Sequence, residues 1–143
     1  MGYEESVSDA ARRRLRITLI MASLYDLTFA VVNMATPEWG SEFLEIPLPA
    51  DQVYLRFTGV FLLMAAMFYM LPVLHPGRYL GNVVVAIVGR TLGAVFLVTA
   101  SLKFGHPFAF ILLGAGDFAF ALLHFFYLAR AEGGNPFRHY FTA

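Results

Sequence analysis

Four apolar runs, each about as long as a membrane-crossing helix, set the architecture of this chain. They lie at about 15–36, 52–74, 79–102 and 107–129. Each is close to the ~20 residues that an α-helix needs to cross a hydrocarbon layer of about 30 Å. The connectors are rich in proline, glycine and charged residues, which is typical of helix ends. The sequence therefore predicts an all-α protein with a bundle of four transmembrane helices over 15–130.

The composition points to a lipid bilayer as the main environment of this chain. Hydrophobic residues make up 59% and charged residues only 14% of the 143 residues, whereas soluble domains average about 45–50% and about 25%. Basic and acidic residues balance at 10 each, so no nucleic-acid partner is expected. The chain has no cysteine, which excludes disulfides and thiolate metal sites.

The distribution of basic residues predicts the orientation. Lys103 lies on one side of the predicted bundle, together with the acids of the connector 38–51. Because basic residues favour the cytoplasmic side, both termini are predicted to be cytoplasmic, as a basic segment at 1–14 and a tail at 131–143. The basic residues on that side are Arg12, Arg13, Arg14, Arg16, Arg78, Arg130 and Arg138.

Three ionisable residues interrupt the apolar runs at similar depth. Asp26, Arg90 and Asp117 each lie about ten or eleven residues into their run, which places them ~15 Å deep at 1.5 Å per residue. A charge that faces lipid at this depth costs at least ~2.5–3.5 kcal/mol. We therefore expect the three side chains to face inward and pair, although the sequence does not reveal which aspartate pairs with Arg90.

Two polar stripes accompany the aspartates. One stripe contains Ser23, Asp26 and Asn33, and the other contains Asp117 and His124, both at helical spacing. They form the predicted intramembrane polar cluster, which either fixes helix packing or handles a proton or ligand. His124 is expected to bond to a neighbour such as Asn82, because no spacing here favours a haem or metal site.

Small residues in the third run predict a packing face. Ala86, Gly89 and Gly93 lie along a strip of small residues beside Arg90, and such strips let membrane helices approach closely. Two prolines mark helix ends. Pro72 is expected to kink or end the second helix, and Pro107 to open the fourth helix at its first position.

Further residues are predicted at the membrane interface. We expect Arg56 to extend outward toward Glu42, Glu45 or Asp51, and Trp39 to anchor the connector 38–49. The tail carries three aromatic residues that either lie on the lipid surface or dock on another protein. These tail residues are Phe137, Tyr140 and Phe141.

Two segments resemble the DoxX-like group of small bacterial four-helix membrane proteins. They are "YLRFTGVFLLMAAMFYMLPVLHPGRY" (54–79) and "VGRTLGAVFL" (88–97), each with an Arg-x-x-Gly motif. The resemblance implies a compact bundle in the bacterial inner membrane. The member that gives the group its name looks like a membrane partner in a quinone-linked oxidoreductase.

The leading functional prediction is a non-catalytic structural or accessory subunit of a larger respiratory or photosynthetic membrane complex. It rests on short loops, an aromatic tail and the absence of a recognisable catalytic motif, which argues against an enzyme. One alternative is a small transporter or proton-coupled carrier that uses Asp26, Arg90 and Asp117. Another is a quinone- or lipid-binding protein with the Asp/His stripe lining a pocket. No cofactor or metal is predicted beyond such a lipid or quinone.

Overall fold

The computed structural model describes residues 2–75 and 78–134, and this part of the chain is almost entirely helical. Four of its helices are long and apolar enough to cross a membrane. The prediction of an all-α fold with four such helices is therefore confirmed. The helices are α1 (Gly2–Ala35), α2 (Pro37–Phe43), α3 (Val53–Leu74), α4 (Leu80–Phe104) and α5 (Ala109–Ala131).

Helix α1 is longer than the predicted span at 15–36. It contains 34 residues, or about 50 Å at 1.5 Å per residue, so residue 15 is not a helix boundary. The early part of α1 packs on the end of α5, where the Ser8 hydroxyl donates to the Ala131 carbonyl at 3.1 Å and Ala11 is buried. Packing against α5 thus stabilises helical structure in residues that the charge pattern assigned to a separate N-terminal segment at 1–14.

The two prolines act close to their predicted places. Pro72 lies inside α3, which ends two residues later at Leu74. Pro107 was predicted at the first position of the fourth helix, and this is wrong by two residues because α5 begins at Ala109. The Pro107 carbonyl instead accepts the Phe110 N–H at 3.0 Å in the turn that precedes the helix.

A short helix occupies part of the connector between α1 and α3. Helix α2 has seven residues and begins at Pro37, whose fixed φ suits a first helical position. Trp39 and Phe43 stack with their ring centroids 5.3 Å apart, and both rings are exposed. An exposed aromatic pair at the end of a spanning helix is typical of a membrane-interface anchor.

Arg56 binds a helix end rather than the predicted acids. Its guanidinium donates to the Met34 carbonyl in the last turn of α1 and to the Gln52 side chain, the latter at 3.0 Å. Gln52 in turn donates to Glu38 at 2.9 Å. Arg56 is exposed, as expected, but its hydrogen bonds go to this helix end and to Gln52 rather than to Glu42, Glu45 or Asp51. Unpaired carbonyls at a helix C-terminus attract a cation.

Helix α1 packs on two of the other long helices. It packs most extensively on α3 and also on α5, whereas α4 packs mainly on α5 and makes only a small contact with α3. The buried core lies toward the end where α1 begins. Its larger members are Leu15, Leu19, Tyr69, Val83, Ile87 and Leu128.

Helices α4 and α5 approach closely at Gly114, not at the predicted Gly89. A Cβ atom on Gly114 of α5 would lie 3.1 Å from the Ala94 carbonyl oxygen and 3.1 Å from Val98 Cγ2 on α4. Gly89 has open space around it, so its predicted packing role within this bundle is wrong. Ala86 is buried, and Gly93 faces Asp117.

Candidate functional site

One guanidinium joins three helices through two carboxylates. Arg90 of α4 places Nη2 2.8 Å from Asp26 Oδ2 on α1, and its Nη1 pairs with Asp117 Oδ1 on α5. Nη2 also lies 3.3 Å from the Ala22 carbonyl oxygen of α1. The sequence left open which aspartate pairs with Arg90, and in the structure both do.

The three charges differ in their access to the exterior. The side chains of Arg90 and Asp26 are 3% and 5% exposed, whereas that of Asp117 is 20% exposed. Asp117 Oδ2 lies 3.4 Å from the position that a Cβ on Gly93 would occupy. The missing side chain at Gly93 therefore leaves room beside the more accessible carboxylate.

Aromatic rings enclose the guanidinium. Arg90 Cζ lies 5.8 Å from the ring centroid of Tyr25, 5.0 Å from that of Tyr69 and 5.0 Å from that of Phe120. A desolvated cation over the face of an aromatic ring gains about 2 kcal/mol or more in a favourable pair. Sequence reasoning missed all three rings. Phe120 could have been found because it lies three residues after Asp117 on one helix face.

Tyr69 could not have been found in this way. It belongs to α3, which contributes no charged side chain to the cluster. Only the packing of α3 on α1 brings its ring to the guanidinium, and spacing within one helix carries no information about that packing.

Two predicted members of the polar cluster bind elsewhere or lie apart. The buried Ser23 hydroxyl donates to the Ala66 carbonyl of α3 at 2.9 Å, so it ties α1 to α3 rather than to the charges. Asn33 is partly buried and lies near Gly59, where a Cβ would meet the Asn33 Cβ at 3.2 Å. The charged core is therefore formed by Asp26, Arg90 and Asp117.

His124 is enclosed by the bundle, where its ring stacks on Phe120 with the centroids 6.2 Å apart. It is 0% exposed, and neither ring nitrogen has a hydrogen-bond partner among residues 2–75 and 78–134. The Thr18 backbone faces the imidazole, but without the geometry of a hydrogen bond. Asn82 donates instead to the Phe68 carbonyl at 3.4 Å, so the expected bond between His124 and Asn82 is wrong.

At the opposite end of α1, a second polar group surrounds Glu38. Its own backbone N–H and the Gln52 amide donate to this carboxylate, and Arg56 lies nearby. These interactions hold the pKa of Glu38 below its usual value. Trp39 follows in α2 with its ring exposed.

Two further predictions concern metal ligands and the aromatic residues of the tail. In the part of the chain that the structure describes, no group of three or more His, Cys, Asp or Glu residues is placed to hold a metal ion. The predicted tail residues Phe137, Tyr140 and Phe141 lie outside the described residues.

In comparisons with known proteins, the chain matches no protein-family model, no curated protein and no solved structure. The resemblance to the DoxX-like group therefore stays a prediction. What the geometry offers by itself is a charged core that is mostly satisfied within the bundle, with one accessible carboxylate.

Proposed function

We propose that this chain is a non-catalytic structural or accessory subunit of a larger membrane complex, respiratory or photosynthetic in type. Its location is the bacterial inner membrane, with both termini on the cytoplasmic side. The observation that carries the proposal is that the Arg90 guanidinium forms ion pairs with Asp26 and Asp117 of the same bundle. Charges that hold helices together serve a scaffold.

The exterior of the bundle supports the same proposal. Large apolar side chains are exposed along all four long helices, which suits a lipid environment and leaves broad faces for neighbouring membrane proteins. Gly89 lies on one of these faces with open space around it, so a second helix could approach α4 closely there.

The test is purification from the native membrane in a gentle detergent, followed by mass identification of every co-purifying protein. A subunit co-purifies with the same larger partners in a fixed ratio, and that ratio survives a second affinity step. A Gly89→Leu variant with unchanged thermal stability should weaken the association. Recovery of a monodisperse monomer without partners contradicts the proposal.

A carrier is the second candidate, and the accessibility of Asp117 favours it. This side chain is four times as exposed as Asp26, 20% against 5%, so one acid of the cluster could exchange a proton or cation. In that case Asp117→Asn abolishes proton-coupled flux in liposomes while the protein still folds. Thr91→Ala, a nearby polar change on α4, is the matched control and keeps the flux.

A further inference from the structure

A cavity of about 480 Å³ lies at the end of the bundle where α5 ends and α4 begins. Helices α1, α3, α4 and α5 all contribute to its lining. Its volume falls within the range of about 300–1,000 Å³ that is common for small-molecule sites, and the cavity is partly open to the outside. It is separate from the cluster at Arg90, which is absent from its lining.

Positive charge dominates the polar part of the cavity. Arg12, Arg13 and Arg16 of α1 line it together with one acid, Glu132. Arg12 Nη2 lies 3.9 Å from Glu132 Oε1, and the Arg12 side chain is 59% exposed, so this ion pair is loose and well solvated. The four side chains together carry a formal charge of +2 (three cations and one anion), which favours an anion.

The rest of the cavity is lined by apolar residues. Leu15 and Leu19 of α1 and Val83 of α4 line it and are buried, and Leu80 is partly buried beside them. Arg12, Leu15, Arg16 and Leu19 follow one face of α1 at helical spacing. Cations therefore lie beside an apolar cleft and offer one surface to an ionic group and another to a hydrocarbon chain.

The start of α4 adds to the preference for an anion. Leu80, its first residue, lines the cavity, so the N-terminal turn of α4 lies at this end of the molecule. The N-terminus of a helix of 25 residues carries a partial positive charge. This partial charge favours an anion, as the three arginines do.

From this arrangement we infer that the cavity binds an amphiphile with an anionic head and an alkyl chain. The head is bound by Arg12, Arg13 and Arg16, and the chain lies against Leu15, Leu19 and Leu80. This site differs from the Asp/His stripe on which a lipid or quinone was expected. The inference does not depend on the subunit role, because such a ligand could occupy the cavity in a subunit or in an isolated bundle.

The test uses the purified full-length protein and native mass spectrometry. Phosphatidylglycerol, phosphatidylcholine with the same chains, and inorganic phosphate are added at equal concentrations. We expect phosphatidylglycerol to bind more tightly than phosphatidylcholine, and inorganic phosphate to displace it poorly. Dodecyl phosphate should compete if any anionic amphiphile fits, and should fail if the site requires a diacyl phospholipid.

Charge variants locate the site. Arg16→Gln should weaken phosphatidylglycerol binding by about fivefold, the usual effect of one basic residue at an anionic lipid. Arg14→Gln is the matched control, since Arg14 is an exposed arginine in the same stretch of α1 that does not line the cavity. Glu132→Gln should strengthen binding, because it removes the negative charge that Glu132 contributes to the described part of the lining.

A steric variant examines the apolar part. Leu80→Trp keeps every charge and fills part of the cavity, so it should weaken phosphatidylglycerol binding while the thermal midpoint stays close to that of the wild type. Equal effects of Arg14→Gln and Arg16→Gln overturn the inference, because they indicate general attraction to a basic surface. Full displacement by inorganic phosphate, or binding unchanged in Leu80→Trp, overturns the role of the alkyl chain and with it the inference.

Discussion

At the scale of single residues, the depth of a charged residue within its apolar run predicted that it faces inward. The sequence did not predict which residues would pair with each other. The similar depths of Asp26, Arg90 and Asp117 predicted an inward-facing cluster, because unpaired charges in lipid are costly. The sequence could not show that Arg90 bonds to both acids, since this depends on which helices are adjacent. The failed pairing of His124 with Asn82 has the same cause.

Arg90 is expected to be the residue whose loss most weakens the bundle. Arg90→Leu leaves two carboxylates in the interior without a counter-ion, and removing one partner of a buried ion pair typically costs about 3–5 kcal/mol. Arg90→Lys should recover only part of the loss, because an ammonium cannot reach both acids with the planar fork of arginine. Thermal unfolding in detergent, followed by circular dichroism, should give midpoints that fall in the order wild type, Arg90→Lys, Arg90→Leu. Equal midpoints for Leu and wild type would contradict it.

His124 is expected to cost stability rather than supply it. Both ring nitrogens lack a partner among the described residues, and a buried polar group without a hydrogen bond costs about 1–3 kcal/mol. His124→Leu should therefore match or raise the thermal midpoint. His124→Ala is the control and should lower it, because it opens a cavity. A clear loss of stability in His124→Leu would reveal a hydrogen bond that the fold needs.

At the scale of helices, the existence of the four spans followed from hydropathy, whereas their ends and contacts did not. The charged residues from Arg12 to Arg16 look like the end of a span, yet α1 continues because its first part packs on α5. The seven-residue helix α2 is too short to show a helical period in the sequence. The close approach of α5 to α4 at Gly114 depends on the crossing geometry, which a small-residue strip suggests only loosely.

Two glycines on facing helices should respond in opposite ways to the same change. Gly114→Val places side-chain atoms against the Ala94 carbonyl and Val98, a contact already at 3.1 Å for Cβ alone. Overpacking of this kind typically costs about 1–3 kcal/mol. Gly89→Val meets open space and should leave the monomer at least as stable. Thermal unfolding of the two variants under identical conditions measures both effects. Equal losses of stability in the two variants would contradict the described packing of α4 on α5.

At the scale of the whole molecule, α1 joins α3 and α5, and the charged cluster adds α4 to the same centre. The apolar exterior predicts insertion in a membrane, which composition alone anticipated. Hydropathy could not order the helices around α1, because all four exteriors are similarly apolar. That order determines which residues line the cluster and the cavity.

The proposed orientation can be read from single cysteines, since the natural chain has none. Asp9→Cys and Gly134→Cys, both at exposed positions, should react with a membrane-impermeant maleimide only from the cytoplasmic side. Glu42→Cys, exposed in α2, should react only from the other side. The wild-type chain is the unlabelled control. Labelling of Asp9→Cys and Gly134→Cys from opposite sides would contradict an even number of crossings between these positions.

The central claim is that one guanidinium joins three helices in the middle of the bundle, and a double-mutant cycle tests it most directly. Unfolding free energies are measured for Arg90→Gln, Asp26→Asn and the double variant. Arg90→Gln combined with Arg56→Gln serves as the distant control pair. We predict a coupling of about 1–3 kcal/mol between Arg90 and Asp26, and near-additive losses for the control pair. Additive losses for Arg90 and Asp26 would show that the two side chains do not interact, and would contradict the account.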